Sequence, residues 1–372
     1  MKQNFRLFGL WRLLAAMLVM AYHFSHYVTN ATVVTRWFEH MMPLLDMFFI
    51  MSGFLIFHHY STMRLDGRSY YGFLVKRLSR IYPLHIITLA AFVGAGVLVH
   101  LGLVQSQAAE SQFDFAALPM NLLLLQAWGV NDQLTFNYVS WSVSGEWFAY
   151  LMFPLIVLVF LRAKLAGLVV MLALILAGLE YADRDATDIH ETWYFAQSWG
   201  AYRVAADFVY GAILCILVSR VRPLAYAQAA AWVTLAVVFW AMFADADIYL
   251  TLALFGLAIC LAALADRDDD RATAWLAPLT PVTAVSFGVY MWHPVIELFA
   301  YSFLWRRVFG IEDPVLFWTY MPIPVILSIA VAMASARYLE KPAGQWMERV
   351  LTGASKRRGV AVAGAGTAKG LH

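Results

Sequence analysis

The sequence is poor in charged residues and has almost no cysteine. Charged residues make up 13% of its 372 residues and hydrophobic residues 62%, with a mean hydropathy of +0.67. Soluble domains carry about twice that share of charge, so the composition excludes an ordinary soluble fold and predicts an all-α integral membrane protein. Both cysteines, Cys215 and Cys260, lie in apolar runs, and we predict no disulfide between them. The net charge of +2 gives no sign of a nucleic-acid partner.

Long apolar runs divide the chain into about ten predicted transmembrane helices. Runs of about 17 to 25 residues are long enough to cross the hydrocarbon core as helices. They cover residues 7–27, 42–59, 81–104, 147–161, 165–181, 204–219, 224–243, 248–265, 282–303 and 321–336. A shorter run, 118–130, reaches only about 20 Å as a helix and is predicted to be re-entrant or interfacial.

The basic residues determine the predicted orientation. With the N-terminus inside, 21 of the 26 Lys and Arg residues fall in cytoplasmic segments, as the positive-inside rule requires. Both termini are therefore predicted to be cytoplasmic. Residues 1–345 form the predicted membrane domain, and 346–372 form a cytoplasmic tail whose Gly- and Ala-rich end predicts partial disorder.

Two ionisable residues interrupt the first apolar run. Arg12 and His23 are eleven residues apart, which on a helix places them within about 20° of each other and about 16 Å apart along its axis. Each costs roughly 2.5 kcal/mol or more near the bilayer centre, so both must face protein or water. For His23 alone, the alternative to a functional role is a hydrogen-bonded core histidine.

Two acids are predicted to lie near His23 on the outer side. Asp46 begins the second predicted helix, and Glu146 stands at the outer end of the fourth. A histidine oriented by a carboxylate is the usual general base near neutral pH. The alternatives are a water-exposed interface carboxylate for Asp46 and a helix N-terminal cap for Glu146.

A pair of arginines, Arg77 and Arg80, faces the cytoplasm in the predicted topology. Their i,i+3 spacing projects both from one side of a helical turn, and two guanidinium groups suit phosphate oxygens. Anchoring to lipid headgroups is the alternative. On the ninth predicted helix, Tyr290 and His293 lie near mid-membrane, where they either line the same pore or bond neighbouring helices.

Six short segments follow one another along the chain. They are Arg12 with His23, Asp46 with Ser52-Gly-Phe-Leu, Arg77-Leu-Ser-Arg80 before Pro83, Trp141-Ser142-Val-Ser-Gly-Glu146, Tyr290-Met-Trp-His293-Pro, and Glu340-Lys-Pro. In this order, over nearly the whole chain, they resemble the integral-membrane acyltransferase-3 family, many of whose members O-acetylate carbohydrates. Many members carry a second glutamate where this chain has Trp147, so a role for paired glutamates is not carried over.

The resemblance implies roles for particular residues. His23 matches the family's principal catalytic residue, and Arg77 and Arg80 match positions that engage the donor, usually acetyl-CoA. Arg12, Ser52 and Glu146 match positions tied to activity less specifically. We expect the stand-alone type, without a C-terminal hydrolase-like domain, in the bacterial cytoplasmic (inner) membrane.

Residues and resemblance together predict a membrane O-acyltransferase. An acyl group, expected to be acetyl, would pass from cytoplasmic acyl-CoA to a hydroxyl of a cell-surface or lipid-linked carbohydrate. His23 would act as general base, oriented by Asp46 or Glu146, while Arg12 joins Arg77 and Arg80 on the donor side. An acyl-His23 intermediate is a variant of this mechanism.

Other parts of the mechanism stay open at this point. The candidates for the pore lining or the oxyanion donor are Ser52, Trp141, Ser142, Tyr290, His293 and a backbone amide near Gly53. No metal is predicted, and the sequence does not determine the oligomeric state or the acceptor. A secondary transporter or polysaccharide exporter would also need intramembrane polar residues, and a non-catalytic sensor or scaffold is a third possibility.

Overall fold

Long helices make up most of the chain in the computed structural model, which describes residues 5–28, 32–104, 109–184, 193–194, 198–222, 224–268 and 273–353. Every regular element in these ranges is helical, and eight helices there are long and apolar enough to cross a membrane. The predicted all-α class is confirmed. The number of crossings and the side of each terminus stay predictions.

The main helices follow one another along the chain, and the stretch between His100 and Trp141 contains several short helices. They are α1 (Arg6–Ser25), α2 (Thr32–Glu39), α3 (Leu44–Tyr60), α4 (Gly67–His100), α5 (Trp141–Ala182), α6 (Gly200–Arg220), α7 (Ala227–Phe243), α8 (Ile248–Asp268), α9 (Ser286–Glu297), α10 (Pro314–Tyr320), α11 (Pro322–Ser335) and α12 (Lys341–Thr352). A π-helix, Leu298–Phe309, continues α9, and another, Ala336–Glu340, joins α11 to α12.

The 42-residue element α5 consists of two helices that meet at a kink at Lys164, where φ is 53° and ψ is −146°. In a straight helix Val159 and Gly167 would lie about 12 Å apart along the axis. Instead, a Cβ added to Gly167 would lie 3.0 Å from the Val159 side chain, so the chain folds back. The eight long helices include α5 as one. Counting its two halves separately and adding the shorter α7 gives ten apolar helical stretches among the described residues.

Helix α4 is longer than a bilayer is thick. Its 34 residues span about 51 Å, against about 30 Å of hydrocarbon, so its first turns extend beyond the apolar zone and carry Arg77 and Arg80. Asp66 caps this helix by accepting hydrogen bonds from the backbone N–H of Ser69 at 2.8 Å and from its hydroxyl at 3.1 Å. These bonds lower the pKa of Asp66.

The shorter apolar run 118–130 differs in shape from a thirteen-residue helix. It forms one short helix, Leu118–Leu122, and then a series of turns, because Leu124 adopts a positive φ of 58° that a helix does not allow. Its polar groups bond to the start of α5. The Ser144 hydroxyl donates to the Leu124 carbonyl at 2.8 Å and accepts from the Ala127 N–H at 3.2 Å.

The last helix lies against the first half of α4. A Cβ on Gly344 of α12 would lie 2.5 Å from the Ser79 carbonyl oxygen, and the Tyr71 hydroxyl donates to the Leu351 carbonyl at 2.8 Å. The predicted tail boundary at residue 345 therefore falls inside a helix that continues to Thr352. Residues 354–372, the remainder of the predicted tail, lie outside the described residues.

Candidate active site

The three arginines predicted to bind the donor surround one cavity of about 220 Å³. Arg12 enters it from the first half of α1, and Arg77 and Arg80 enter from neighbouring turns of α4. Ser52 of α3 and Glu146 of α5 complete the polar wall. We call this space the arginine cavity.

Glu146 is bonded inside the arginine cavity. Its two carboxylate oxygens accept hydrogen bonds from the Ser52 hydroxyl at 3.1 Å and from the Tyr150 hydroxyl at 2.9 Å. It is also an electrostatic neighbour of Arg12. The structure therefore places Glu146 in the arginine cavity, one and a half turns inside α5, and not with His23 as the topology suggested.

The arginine cavity presents cationic hydrogen-bond donors that suit an anionic ligand such as a phosphate group. The Arg12 guanidinium lies over the Phe48 ring at 4.1 Å, and Arg77 donates to the Tyr60 hydroxyl at 3.1 Å. Within the described residues, the Nε atoms of Arg12 and Arg77 are buried without a hydrogen-bond partner. Such donors are costly to bury, and phosphate oxygens would satisfy them. A 220 Å³ space is smaller than pockets for drug-sized ligands, so it suits a diphosphate more than a whole nucleotide.

His23 lies toward the other end of α1, among aromatic rings. Its imidazole centroid is 4.8 Å from the Tyr138 ring and 5.4 Å from the His293 ring, with the two imidazoles 23° from parallel. His293 is buried, and its ring is 5.8 Å from that of Tyr290. His23, Tyr290 and His293, all predicted for the catalytic and pore regions, therefore share one cluster with Tyr138, which we call the histidine cluster.

Asp46 pairs with an arginine that the sequence did not single out. Arg203 of α6 donates from Nε to Oδ1 at 2.5 Å and from Nη2 to Oδ2 at 2.6 Å, and both side chains are buried. A buried carboxylate needs an opposite charge or several hydrogen bonds. The structure thus gives Asp46 a bidentate partner in place of the predicted pairing with His23.

Another acid, Glu297, which belongs to none of the sequence motifs, lies beside the histidine cluster. The Tyr138 hydroxyl donates to Oε2 of Glu297 at 2.6 Å. Glu297 is one helical turn after His293 on α9, so both side chains point to one side of the helix. An acid four residues after a histidine inside an apolar run is a signal that could have been recognised.

A narrow gap separates the arginine cavity from the histidine cluster. It shares Glu146 and Phe287 with the arginine cavity, and it is also lined by Ala16, Phe48 and Tyr290. Its volume of about 10 Å³ holds roughly one water molecule. The small side chain of Ala16 lies between Arg12 and His23 on the shared face of α1.

The hydroxyl and indole groups predicted for the pore have partners in the protein. Ser142 donates to the Val139 carbonyl at 2.9 Å, and Tyr290 donates to the same carbonyl at 3.2 Å. Both line the narrow gap. Trp141 packs instead on the Phe49 ring at 5.8 Å, which makes it a packing residue at the start of α5.

A larger cavity of about 950 Å³ opens near the His23 end of α1. Its wall includes the rings of Tyr22, Trp193 and Tyr194 together with Glu39 and Asp245. The Tyr22 ring lies 5.1 Å from that of His23. Aromatic faces beside carboxylates suit a polar ligand that has both hydroxyl groups and apolar faces. We call this space the wide cavity.

Comparison with known proteins identifies the family. The family model of acyltransferase type 3, described as an acyltransferase domain, matches residues 8–337. Acyltransferase MdmB of Streptomyces mycarofaciens is 34% identical over 113 residues, a stretch that covers 30% of this chain and 27% of that protein. No solved structure matches. Because the family model covers most of the chain, including Arg12, His23 and the paired arginines, the chain belongs to the acyltransferase-3 family.

Proposed function

We propose that this protein is an O-acyltransferase that moves an acetyl group from cytoplasmic acetyl-CoA to a carbohydrate hydroxyl on the opposite side of a bacterial cytoplasmic membrane. The observation that carries the proposal is the arginine cavity, in which Arg12, Arg77 and Arg80 come together from two helices. Three guanidinium groups against the single carboxylate of Glu146 leave a net positive site, which favours a polyanionic donor. The acyl arm would then extend along α1 toward His23.

The chemistry requires a base at the far end of that path. His23 removes the proton from the acceptor hydroxyl, whose oxygen forms a bond to the thioester carbon as the carbon–sulfur bond breaks. The imidazolium then returns the proton to the leaving thiolate, so the products are an ester and free CoA. Tyr290, at the narrow gap beside His293, is our candidate donor to the oxyanion, after it leaves the Val139 carbonyl.

The acceptor is proposed to arrive through the wide cavity. This space borders Tyr22, the chain neighbour of His23, and lies at the end of α1 away from the arginines. Sugars bring hydroxyl groups for carboxylates such as Glu39 and apolar ring faces for Trp193. Donor and acceptor would therefore reach His23 from opposite directions.

The test compares surface glycans and donor binding in matched variants. Mass spectrometry of surface glycans from cells with the wild-type chain should show acetyl increments that His23→Ala removes, because a missing general base costs about 100-fold or more in rate. His100→Ala, at the exposed end of α4, is the control and should retain them. Replacing Arg77 and Arg80 with Ala should weaken CoA binding at least about tenfold, since each charged hydrogen bond contributes about 1.5–3 kcal/mol, whereas Lys76→Ala should not.

Two outcomes would contradict the proposal. Unchanged glycan acetylation in His23→Ala, at normal protein abundance, would remove the catalytic role of the histidine. Movement of a glycan across the membrane without any mass change would favour the transporter alternative.

A further inference from the structure

We propose that Glu297 is the carboxylate that positions His23, acting through the hydroxyl of Tyr138. This inference rests on the proposed function, because it assumes that His23 is the base. It goes further by assigning roles to two residues that lie outside the family-like segments. Neither Asp46 nor Glu146, the two acids expected from the sequence, has this place in the structure.

Both expected acids are engaged elsewhere. The carboxylate oxygens of Asp46 accept from Arg203 at 2.5 and 2.6 Å. Those of Glu146 accept from Ser52 and Tyr150 in the arginine cavity. A general-base histidine still benefits from a carboxylate that fixes its tautomer and stabilises its protonated form.

One hydrogen bond joins Glu297 to Tyr138, whose ring packs beside the His23 imidazole. The 2.6 Å separation between the Tyr138 hydroxyl and Glu297 Oε2 is in the range of a charge-assisted O–H···O⁻ bond. The Tyr138 ring is 4.8 Å from the imidazole of His23. A phenol oxygen that donates to a carboxylate keeps its lone pairs, so Tyr138 is able to accept an N–H from His23 while it donates to Glu297.

Charged and titratable groups from several neighbouring elements surround His23 and Glu297. Around His23 these are Tyr22, His26 and His293, in addition to Tyr138. Around Glu297 they are Tyr27, Tyr301 and Arg306. Arg306 lies 4.4 Å over the Tyr27 ring. The Glu297 carboxylate therefore bonds to the Tyr138 hydroxyl, while the Tyr138 ring packs beside His23.

The chemical consequence concerns the proton taken from the acceptor. As His23 becomes an imidazolium, its second N–H donates to the Tyr138 hydroxyl. The carboxylate of Glu297, bonded to that hydroxyl, stabilises the positive charge. The proton is then held on His23 until the thiolate leaves and takes it. Glu297 and Tyr138 are positioning residues in this scheme, since neither touches the reacting atoms.

The test uses the full-length protein, acetyl-CoA as donor and the surface glycans of the expressing cell as acceptor. Release of the CoA thiol at saturating donor gives kcat, and its dependence on donor gives KM. Glu297→Gln and Tyr138→Phe should each lower kcat about tenfold or more, with an unchanged KM for acetyl-CoA. Losing the negative charge makes His23 easier to deprotonate, so the acid limb of the kcat–pH profile should move to lower pH in Glu297→Gln. Glu312→Gln, an exposed acid, is the matched control.

The possible results separate this inference from the proposed function. If His23→Ala keeps its activity, the proposed function fails. If His23→Ala is inactive while Glu297→Gln and Tyr138→Phe keep the wild-type kcat and pH profile, this inference alone is overturned. If Glu297→Gln does not fold, Tyr138→Phe still decides the question, because it removes a single hydroxyl. A fall in yield with an unmoved pH profile would show that the pair is only structural.

Discussion

At the residue scale, one buried ion pair joins two distant parts of the chain. The ion pair between Asp46 and Arg203 joins residues 157 positions apart. Arg203 also lies 4.4 Å over the Tyr194 ring and donates to the Tyr194 carbonyl. Asp46 therefore fixes the start of α3 to α6, which identifies it as a structural residue more directly than as a partner of His23.

Removing one member of this pair should unfold the protein, whereas removing both should not. Asp46→Ala leaves a buried guanidinium without its counter-charge, at a cost of about 3–5 kcal/mol. The double variant Asp46→Leu, Arg203→Met replaces both charges with apolar groups and should recover most of the yield. Size-exclusion profiles and thermal unfolding in detergent measure this difference. A double variant that folds fully but transfers no acyl group would assign chemistry to Asp46.

The sequence predicted individual site residues better than their partners. Arg12, Arg77 and Arg80 were expected on the donor side, and their cavity brings them together, because periodicity and topology place whole helix faces. The partners of Asp46 and Glu146 could not be obtained this way, because side-chain pairing depends on how distant helices pack. Glu297 could not be predicted from the motifs, because it belongs to none of them although it follows His293 by one helical turn.

At the scale of elements, the packing of α3 on α6 depends on two glycines. A Cβ on Gly211 would lie 2.2 Å from the Ile50 carbonyl oxygen and 2.5 Å from the Phe54 nitrogen. From the other side, a Cβ on Gly53 would lie 2.5 Å from the Phe208 Cα. The two backbones are in contact, as small residues allow between membrane helices.

Gly211→Ala should therefore weaken both the fold and the donor site. The added methyl meets backbone atoms, which cannot rotate away, so we expect a loss of about 1–3 kcal/mol or more and a lower unfolding temperature. Because α3 carries Ser52, CoA affinity should fall as well. Gly178→Ala in α5 is the control, since its Cβ would meet nothing within 4 Å, and helix propensity predicts no loss there. Equal unfolding temperatures for the two variants would contradict the close packing of α3 on α6.

At one point an interruption of an apolar run by charge predicted an element boundary correctly. The predicted break between 161 and 165 coincides with the kink at Lys164, because Arg162 and Lys164 interrupt the run. The turns within 118–130 could not be predicted in the same way. Hydrophobicity gives the length of a segment, whereas its path depends on polar anchors such as Ser144.

At the scale of the whole molecule, the proposed function requires two separate entrances. The arginine cavity and the wide cavity adjoin different parts of α1, and a gap of about 10 Å³ lies between the arginine cavity and the histidine cluster. In the proposed mechanism, such a narrow gap limits the leakage of water through the protein while the acyl arm passes. It is useful only if the two cavities open to opposite sides of the membrane, which depends on the topology of α5.

Labelling of introduced cysteines tests this topology. A straight α5 would be about 63 Å long, twice the hydrocarbon thickness, whereas the kink at Lys164 predicts a hairpin whose tip lies in the cytoplasm beside Arg162. In a background with Cys215→Ala and Cys260→Ala, Ala163→Cys should react with a membrane-impermeant maleimide in inside-out vesicles and not in intact cells. Leu103→Cys, an exposed position just after α4, should show the reverse pattern. Failure of Ala163→Cys to react in either preparation would place residue 163 within the membrane, and every later helix would then change direction.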